Sequence, residues 1–296
     1  MANEDVWNVQ RLLAWTTEFL KSHGSASPRL EAEILLADTL KATRIELYTR
    51  FDEVPTPEQL TKFRDYVRRR GAGEPVAYLV GVKEFYSLPF QVTSDVLIPR
   101  PETEQLVLES LDFLKRSGVS PDMFHVADLG TGSGNIAIAI ARNAPAVHVT
   151  AVDVSEAALA IAKSNAERQG VAAQITFVKS DLFDALPDAG PFDVIVSNPP
   201  YITRAEYERL EPMVRDYEPE LALCGGQSGT DVLLRIVAAA PEKLKPGGLL
   251  MLEASPATID PVVACMKENP LWSDVRVSND LARIKRYITA YKVSEH

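Results

Sequence analysis

Four consecutive residues near the middle of the chain, Asn198-Pro199-Pro200-Tyr201, have the types and spacing needed to hold a planar NH2 group. They follow an apolar run over residues 192–197 that predicts a buried strand. The two prolines lack N–H groups and have a fixed φ, so the backbone carbonyls at this strand end are not used by a helix or a ladder. The side-chain oxygen of Asn198 and the carbonyl of Pro199 can accept the two N–H groups of an amide or an exocyclic amine. The tetrapeptide therefore indicates a methyl-transfer site, with a rigid turn as the structural alternative.

A glycine-rich turn further upstream indicates a nucleotide-type cofactor. Residues 125–129 predict a short strand and residues 135–142 a helix, with Gly130-Thr131-Gly132-Ser133-Gly134 between them. Glycines permit a close approach of the backbone, and the start of the helix presents unpaired N–H groups. The dinucleotide fingerprint needs a glycine where this chain has Asn135, and the chain has no phosphate-binding loop of the ATPase type. NAD is thus disfavoured, and S-adenosylmethionine is the remaining common interpretation.

Two further acidic positions extend this pattern along the predicted sheet. Residues 148–154 predict a second strand with Asp153 near its carboxyl end, where an acidic side chain can accept both ribose hydroxyls. Residues 174–178 predict a third strand, after which Asp181 and Leu182 offer a polar contact and an apolar wall to an adenine ring. An isolated acidic residue at a strand end is more often a helix cap or a solvated group, so only the ordered series of these positions indicates cofactor binding. The predicted cofactor-binding residues are Gly130, Thr131, Gly132, Ser133, Gly134, Asp153, Asp181, Leu182 and Asn198.

The elements around these residues alternate between strands and helices, which predicts an α/β fold with a doubly wound parallel sheet of about seven strands. Ligands bind such sheets at the carboxyl ends of the strands, where the motifs above fall. The charged run Arg283-Ile284-Lys285-Arg286 is expected to be a solvated loop. The other predicted elements are helices at 157–169, 231–244 and 259–267, a turn at 246–248, a buried strand at 249–254 and a terminal hairpin on the sheet edge at 275–278 and 287–293.

The N-terminal part, up to about residue 82, has helical periodicity without strand-like runs and predicts a separate helical domain. Ser27 and Pro28 are expected to start one helix, and two capping boxes, Thr43 with Glu46 and Thr56 with Gln59, start two more. Arg68-Arg69-Arg70 ends the last helix, where cations favour the helix dipole and are usually solvated. The predicted organisation is a helical domain over 1–80, a β-hairpin and linker over 81–104, and a catalytic domain over 105–296.

A proline-stiffened segment follows the predicted hairpin. In Ile98-Pro99-Arg100-Pro101-Glu102-Thr103-Glu104, a helix is expected to start at about Thr103. Arg100 and Glu102 present opposite charges close to the predicted active-site mouth, which makes them candidates for substrate binding. A rigid linker is the equally weighted alternative.

Composition limits the remaining function classes. With 296 residues, 46% of them hydrophobic, the chain is long enough for two ordinary domains. A net charge of −10 disfavours broad electrostatic capture of DNA, so direct nucleic-acid binding is not expected. Cys224 and Cys265 have no metal-ligand spacing and are expected to be reduced, and no metal is implied. No stretch of signal-peptide or membrane-span type is present, so we predict a cytoplasmic protein without membrane association.

Five segments together closely resemble the HemK-type glutamine methyltransferases that modify peptide-chain release factors. The most specific is Ile98-Pro99-Arg100-Pro101-Glu102-Thr103-Glu104 with a helical domain before it, whereas Asn-Pro-Pro-Tyr is shared with DNA adenine and cytosine N-methyltransferases. The resemblance covers almost the whole chain. The segments are residues 74–78, 83–86, 96–104, 128–135 and 197–202.

The resemblance implies a Rossmann-like class I S-adenosylmethionine-dependent methyltransferase with an N-terminal helical substrate-docking domain. Its substrate would be the glutamine in the Gly-Gly-Gln tripeptide of class I release factors. Leu182 departs from the family, which often has an aromatic residue there. The implied catalytic residues are Asn198, Pro199 and Tyr201, and the implied substrate-binding residues are Asn198, Pro199, Pro200, Tyr201, Arg100 and Glu102.

Three alternatives stay open at this point. A sibling enzyme acting on a glutamine of a ribosomal protein would share the same motifs, and a DNA amino-methyltransferase would need a basic recognition segment that the chain does not display. A non-catalytic cofactor-binding protein is disfavoured by the intact Asn-Pro-Pro-Tyr. The chain also contains the tripeptide Gly225-Gly226-Gln227, which we expect to be a loop rather than a site of automethylation.

Overall fold

The computed structural model describes residues 6–116, 124–186 and 191–294. Its helices are α1 (Val9–Ser22), α2 (Pro28–Leu40), α3 (Arg44–Thr49), α4 (Pro57–Gly71), α5 (Val76–Val80), α6 (Glu104–Arg116), α7 (Asn135–Asn143), α8 (Glu156–Arg168), α9 (Arg204–Tyr207), α10 (Pro212–Arg215), α11 (Glu220–Leu223), α12 (Asp231–Lys243) and α13 (Pro256–Glu268). Its strands are β1 (Val82–Phe85), β2 (Leu88–Gln91), β3 (Phe124–Leu129), β4 (Val147–Asp153), β5 (Ile175–Lys179), β6 (Phe192–Ser197), β7 (Leu244–Glu253), β8 (Trp272–Asn279) and β9 (Lys285–Lys292). Two 3₁₀ turns lie at Pro101–Thr103 and Ala172–Gln174.

The chain divides into two compact units, Met1–Val82 with Pro212–Tyr217, and Lys83–Glu211 with Glu218–His296. The predicted boundaries at residues 80 and 104 stay a prediction. No helix in the described part of the chain is both long enough and apolar enough to cross a bilayer.

The first unit packs α1 to α5 around a core of buried leucines and Phe63. Both predicted capping boxes are present, at Thr43 and Thr56. Ser27 occupies the N-cap position of α2 but its side chain makes no capping hydrogen bond there. Of the two residues expected to start this helix, only Pro28 therefore acts as predicted, at the first helical position. The expectation of a solvated arginine run is wrong for Arg70, whose side chain is 9% exposed and pairs with Glu31 at 2.9 Å. This ion pair joins α4 to α2.

The second unit contains a seven-stranded sheet of order β5-β4-β3-β6-β7-β9-β8, which confirms the predicted α/β fold and strand number. The pairs from β5 to β7 are parallel, and β9 is antiparallel to both of its neighbours. Chain order reverses between β3 and β6, where Leu129 is in register with Ser197. Ligands bind doubly wound sheets outside the strand ends at such a reversal. The loops that start at Gly130 and Asn198 therefore leave the sheet side by side.

Two segments differ from their predicted conformation. Residues 246–248 were expected to form a turn before β7, but β7 begins at Leu244 and includes them, and its register against β6 shifts between the Phe192 and Val194 pairs. The extra residues interrupt the regular pairing of β7 with β6, and Gly247 among them has a φ of +75°. The predicted solvated loop at 283–286 is wrong for Arg286, which lies in β9 with a side chain 21% exposed and bonds Asp280 at 2.9 Å.

Candidate functional site

A cavity of about 450 Å³ lies at the reversal between β3 and β6, within the second unit. It brings together residues that are far apart in the chain, from the glycine turn to the start of the Asn-Pro-Pro-Tyr segment. The predicted site residues Glu102, Gly134 and Tyr201 do not line it. Those that do line it are Arg100, Gly130, Thr131, Gly132, Ser133, Asp153, Asp181, Leu182, Asn198, Pro199 and Pro200.

The glycine turn leaves open space on the cavity side. Gly130 and Gly132 have φ values of +71° and +55°, and a Cβ added to either would meet no heavy atom within 4 Å. Gly134 has a different reason to be glycine, because its Cβ would come within 2.8 Å of the Ile138 side chain and 3.1 Å of Ala162. The first two glycines thus leave room for a ligand, and the third allows α7 to pack against α8.

Asp153 is anchored at the end of β4 by two backbone groups. Its carboxylate accepts the N–H of Gly132 at 2.9 Å and that of Ser155 at 2.9 Å. Burial raises the pKa of Asp153, and these backbone hydrogen bonds oppose the rise. Two accepted bonds leave further lone pairs on a carboxylate, so Asp153 can still accept hydroxyl groups from a ligand in the cavity.

Asp128, the last but one residue of β3, is fully buried beneath the glycine turn. One of its oxygens accepts the hydroxyl of Thr131 at 2.7 Å and the N–H of Ala137 at 3.1 Å. Its other oxygen, Oδ1, has no hydrogen-bond partner among the described residues. Burial raises the pKa of Asp128 to about 7. The carboxyl ties the turn to the first turn of α7, and it was not among the predicted site residues.

Asn165 of α8 holds the glycine turn through its side chain, and it is likewise not among the residues predicted from the sequence. Its side-chain NH2 donates to the carbonyls of Gln91 at 3.0 Å and Ser133 at 2.9 Å, and its oxygen accepts the N–H of Gln91 at 2.8 Å. The amide is 1% exposed. It therefore joins β2 to the glycine turn, a connection for which a lone asparagine in a helical run gives no signal.

The loop after β5 presents Asp181 and Leu182 to the cavity. Asp181 forms a half-exposed ion pair with Arg235 at 3.0 Å. Leu182 has a φ of +52°, a left-handed conformation that is uncommon for a leucine and is concentrated at functional sites. Its side chain packs against the buried core and faces the cavity as an apolar wall.

Asn198 is oriented by a chain of buried side chains. Its NH2 donates to the hydroxyl of Thr103 at 3.0 Å, and that hydroxyl donates to Oε2 of Glu253 at 2.8 Å. The hydroxyl of Tyr201 donates to Oε1 of the same carboxylate at 3.0 Å. Thr103 and Glu253 are each 1% exposed.

Burial raises the pKa of Glu253, and the hydrogen bonds from Thr103 and Tyr201 oppose the rise. Burial and the charge of Glu253 likewise raise the pKa of Tyr201. Among the described residues the nearest cation is Arg286, at 3.9 Å from Oε1 of Glu253. Glu253 is not among the residues predicted from the sequence, although a single carboxylate near the end of the apolar run 249–254 is a signal.

The two charged residues of the proline-stiffened segment have separate surroundings. Arg100 lines the cavity and pairs with Glu218 at 2.5 Å, and this carboxylate, 2% exposed, also accepts the N–H of Ile98 at 3.2 Å. Glu102 is exposed, and its backbone carbonyl accepts the hydroxyl of Tyr287 at 2.6 Å. The segment is thus held to the sheet by residues that are distant in sequence.

The tripeptide Gly225-Gly226-Gln227 lies in a loop that packs against the backbone of the Asn-Pro-Pro-Tyr segment. The N–H of Gly225 donates to the carbonyl of Ile202 at 2.9 Å, and a Cβ on Gly225 would lie 2.4 Å from the carbonyl oxygen of Pro200. Close backbone approach therefore requires this glycine. Gln227 is exposed. In the described residues no group of three or more His, Cys, Asp or Glu side chains is arranged to hold a metal ion.

Two protein-family models match the chain. The PrmC N-terminal domain matches residues 11–81, and the methyltransferase small domain matches residues 105–222.

Curated relatives match over most of their length. A release factor glutamine methyltransferase of Rhodopirellula baltica is 46% identical over 98% of both chains. One of Geobacter sulfurreducens is 45% identical over 84% of both chains.

Among solved structures, the N-terminal domain of human METTL16 in complex with SAH matches with a TM-score of 0.53 and 17% identity. The match covers 79% of this chain and 84% of that one. At this identity the likeness concerns the fold alone.

Proposed function

The chain belongs to the family of release factor glutamine methyltransferases, as its motifs predicted, and we propose that it methylates the side-chain amide nitrogen of the Gly-Gly-Gln glutamine in class I peptide-chain release factors. The methyl donor is S-adenosylmethionine. The observation that carries the proposal is the orientation of Asn198, whose NH2 is bound by Thr103 at 3.0 Å. Its oxygen is thereby left, beside the Pro199 carbonyl, to receive an NH2 group from a substrate.

The residues around the cavity fit S-adenosylmethionine. Open space at the Cα atoms of Gly130 and Gly132 accommodates a ligand that a Cβ would exclude. We expect Asp153 to accept the ribose hydroxyls, Leu182 to pack against the adenine ring and Asp181 to contact its polar edge. When bound, the cofactor supplies an electrophilic methyl group on a positively charged sulfur.

Glutamine is a poor nucleophile because the lone pair of its amide nitrogen is delocalised into the carbonyl. Oδ1 of Asn198 and the carbonyl of Pro199, which we call the acceptor pair, bind both N–H groups and fix the direction of that nitrogen. Alignment of two reactants in this way supplies up to about 7–11 kcal/mol of the barrier. The pyrrolidine rings of Pro199 and Pro200 keep the acceptor pair rigid, because φ of a proline is fixed.

The nitrogen loses a proton to solvent water after it gains the methyl carbon, since it becomes acidic only once it is cationic. No strong base is then needed before transfer. Tyr201 is proposed to stabilise the positive charge through its ring face. Its hydroxyl is bound to Glu253 at 3.0 Å, so the ring is held in one orientation.

Arg100 and Glu102 are proposed to contact the protein substrate near the cavity. Arg100 is 36% exposed while paired with Glu218, so its guanidinium keeps donors free for a second partner. The helical first unit is proposed to dock the substrate.

The names of the relatives do not favour a ribosomal protein or DNA as the substrate. Both cysteines are free, which supports a cytoplasmic location, where thiols stay reduced.

Substitution of the acceptor side chain tests the proposal. Asn198→Ala removes one of the two acceptors and is expected to reduce turnover on a full-length release factor by at least 100-fold while the affinity for S-adenosylhomocysteine stays within threefold of wild type. Asn143→Ala, the same change at the exposed end of α7, is the control. Turnover of Asn198→Ala close to wild type would contradict the role of the acceptor pair.

A further inference from the structure

With Glu253 ionised, the bonds that hold Asn198 have a single possible direction. Glu253 as a carboxylate only accepts, so the hydroxyls of Thr103 and Tyr201 must both donate to it, at 2.8 Å and 3.0 Å. A hydroxyl has one proton. Once Thr103 donates to Glu253, its oxygen can only accept from Asn198, at 3.0 Å. The NH2 end of the Asn198 carboxamide is therefore fixed toward Thr103.

From this order of donors and acceptors we propose that Thr103 and Glu253 are positioning residues which set the carboxamide orientation of Asn198 and thereby make the site select glutamine over glutamate. The inference rests on the proposed function. It concerns which end of one amide faces the substrate, and it assigns Thr103 and Glu253 no contact with the reacting atoms.

The selection follows from the chemistry of the two side chains. A glutamine NH2 brings two donors to the acceptor pair, whereas a glutamate carboxylate brings only acceptors and a negative charge. If the carboxamide of Asn198 were reversed, its NH2 would face the substrate and would bind a carboxylate instead. One rotation of about 180° thus changes the preference of the site, and the hydroxyl of Thr103 is the group that opposes it.

Burial of the Glu253 carboxylate costs free energy that packing alone does not recover. Glu253 is 1% exposed, and its nearest cation among the described residues, Arg286, is 3.9 Å away and bonds more closely to Asp280, at 2.9 Å. Glu102 adds a second negative charge to its surroundings. An apolar side chain at such a position is often equal or better for stability. The use of a carboxylate is explained by its two acceptor oxygens, which direct two hydroxyl protons at once.

The test compares two substitutions of Thr103 with wild type. Thr103→Val replaces the hydroxyl by a methyl group of similar size, and Thr103→Ser retains the hydroxyl. Each full-length enzyme, with S-adenosylhomocysteine present, is titrated with a full-length class I release factor that has either Gly-Gly-Gln or Gly-Gly-Glu. The measured quantity is the ratio of the two dissociation constants. Thr103→Ala removes the hydroxyl without adding volume and serves if Thr103→Val does not fold.

We expect wild type and Thr103→Ser to bind the glutamine factor at least tenfold more tightly than the glutamate factor. In Thr103→Val the ratio is expected to fall at least fivefold, with the affinity for S-adenosylhomocysteine unchanged. If Thr103 had a merely structural role, Thr103→Val would weaken the binding of both release factors equally and leave the ratio of dissociation constants at its wild-type value. That result would overturn the inference. A wild-type ratio near one would overturn it too. Failure of wild type to methylate the glutamine factor would instead contradict the proposed function.

Discussion

Gly225→Ala is predicted to damage methyl transfer by moving the backbone of Asn-Pro-Pro-Tyr from behind. The added Cβ would lie 2.4 Å from the carbonyl oxygen of Pro200 and 2.7 Å from that of Gly229. Ordinary contacts of a Cβ begin at 3.4 Å, so the Pro200 carbonyl must retreat by 3.4 − 2.4, or about 1 Å. Both neighbours are backbone atoms, which cannot turn away as a flexible side chain can.

The expected effect separates activity from stability. Misplacement of a reacting group by about 1 Å costs on the order of 100-fold in rate. Insertion of a methyl group into a packed region costs about 1–3 kcal/mol of unfolding free energy. Because Gly225 does not line the cavity, the affinity for S-adenosylhomocysteine is expected to stay within a few fold of wild type.

The assay measures kcat on a full-length release factor, S-adenosylhomocysteine affinity by calorimetry, and urea unfolding. Gly248→Ala is the control, since its Cβ would lie 2.9 Å from a backbone oxygen, that of Lys245, in the same unit. Gly248 precedes Glu253 by five residues of β7, about 16 Å along a strand. The reasoning is refuted if folded Gly225→Ala retains wild-type kcat, or if Gly248→Ala loses as much.

Three further outcomes are expected. Asp153→Ala removes the acceptor that holds the N–H groups of Gly132 and Ser155. Because a hydrogen bond to a charged group contributes about 1.5–3 kcal/mol, S-adenosylhomocysteine binding should weaken by about 10–100-fold. Calorimetry measures this affinity, and an unchanged affinity would show that Asp153 is not part of the cofactor site. Burial raises the pKa of Asp128 from 3.8 to about 7, so relative to Asp128→Asn the cofactor-free wild type should be most stable below pH 3.8 and should lose stability as the pH rises through 7. Between pH 5 and 8 the expected loss of unfolding free energy is about 3 kcal/mol, which urea unfolding measures, and a pH-independent difference would contradict the burial argument. Glu218→Gln weakens the ion pair between the buried Glu218 and Arg100 and should raise KM for the release factor more than it lowers kcat. An unchanged KM would count against a role of Arg100 in substrate binding.

The residues that follow the strands of the sheet were predictable because their chemistry is local. Two prolines after an apolar run restrict the backbone, and three glycines before a helix permit conformations that other residues avoid, so Asn198 and Gly130 could be selected without a structure. The α/β fold followed from the same runs.

The residues that orient Asn198 and the glycine turn were not predictable, because the effect of such residues depends on contacts between distant parts of the chain. Thr103 and Glu253 are separated by 150 positions, and Asn165 reaches a strand 74 residues earlier. Residues 246–248 are expected to form a turn because proline and glycines are typical of turns, but they lie inside β7, where the pairing with β6 is irregular. Arg286 was expected in solvent because a charged run is usually exposed, and its pairing with Asp280 depends on the strand pairing of the terminal hairpin.

Transfer of labelled methyl from S-adenosylmethionine to a panel of acceptors tests the proposed function most directly. The panel consists of an intact class I release factor, the same factor with its Gly-Gly-Gln glutamine replaced, a ribosomal protein and DNA. We predict label on the intact factor alone, and mass analysis should locate it on that glutamine. Label on the replaced factor, on the ribosomal protein or on DNA would contradict the account.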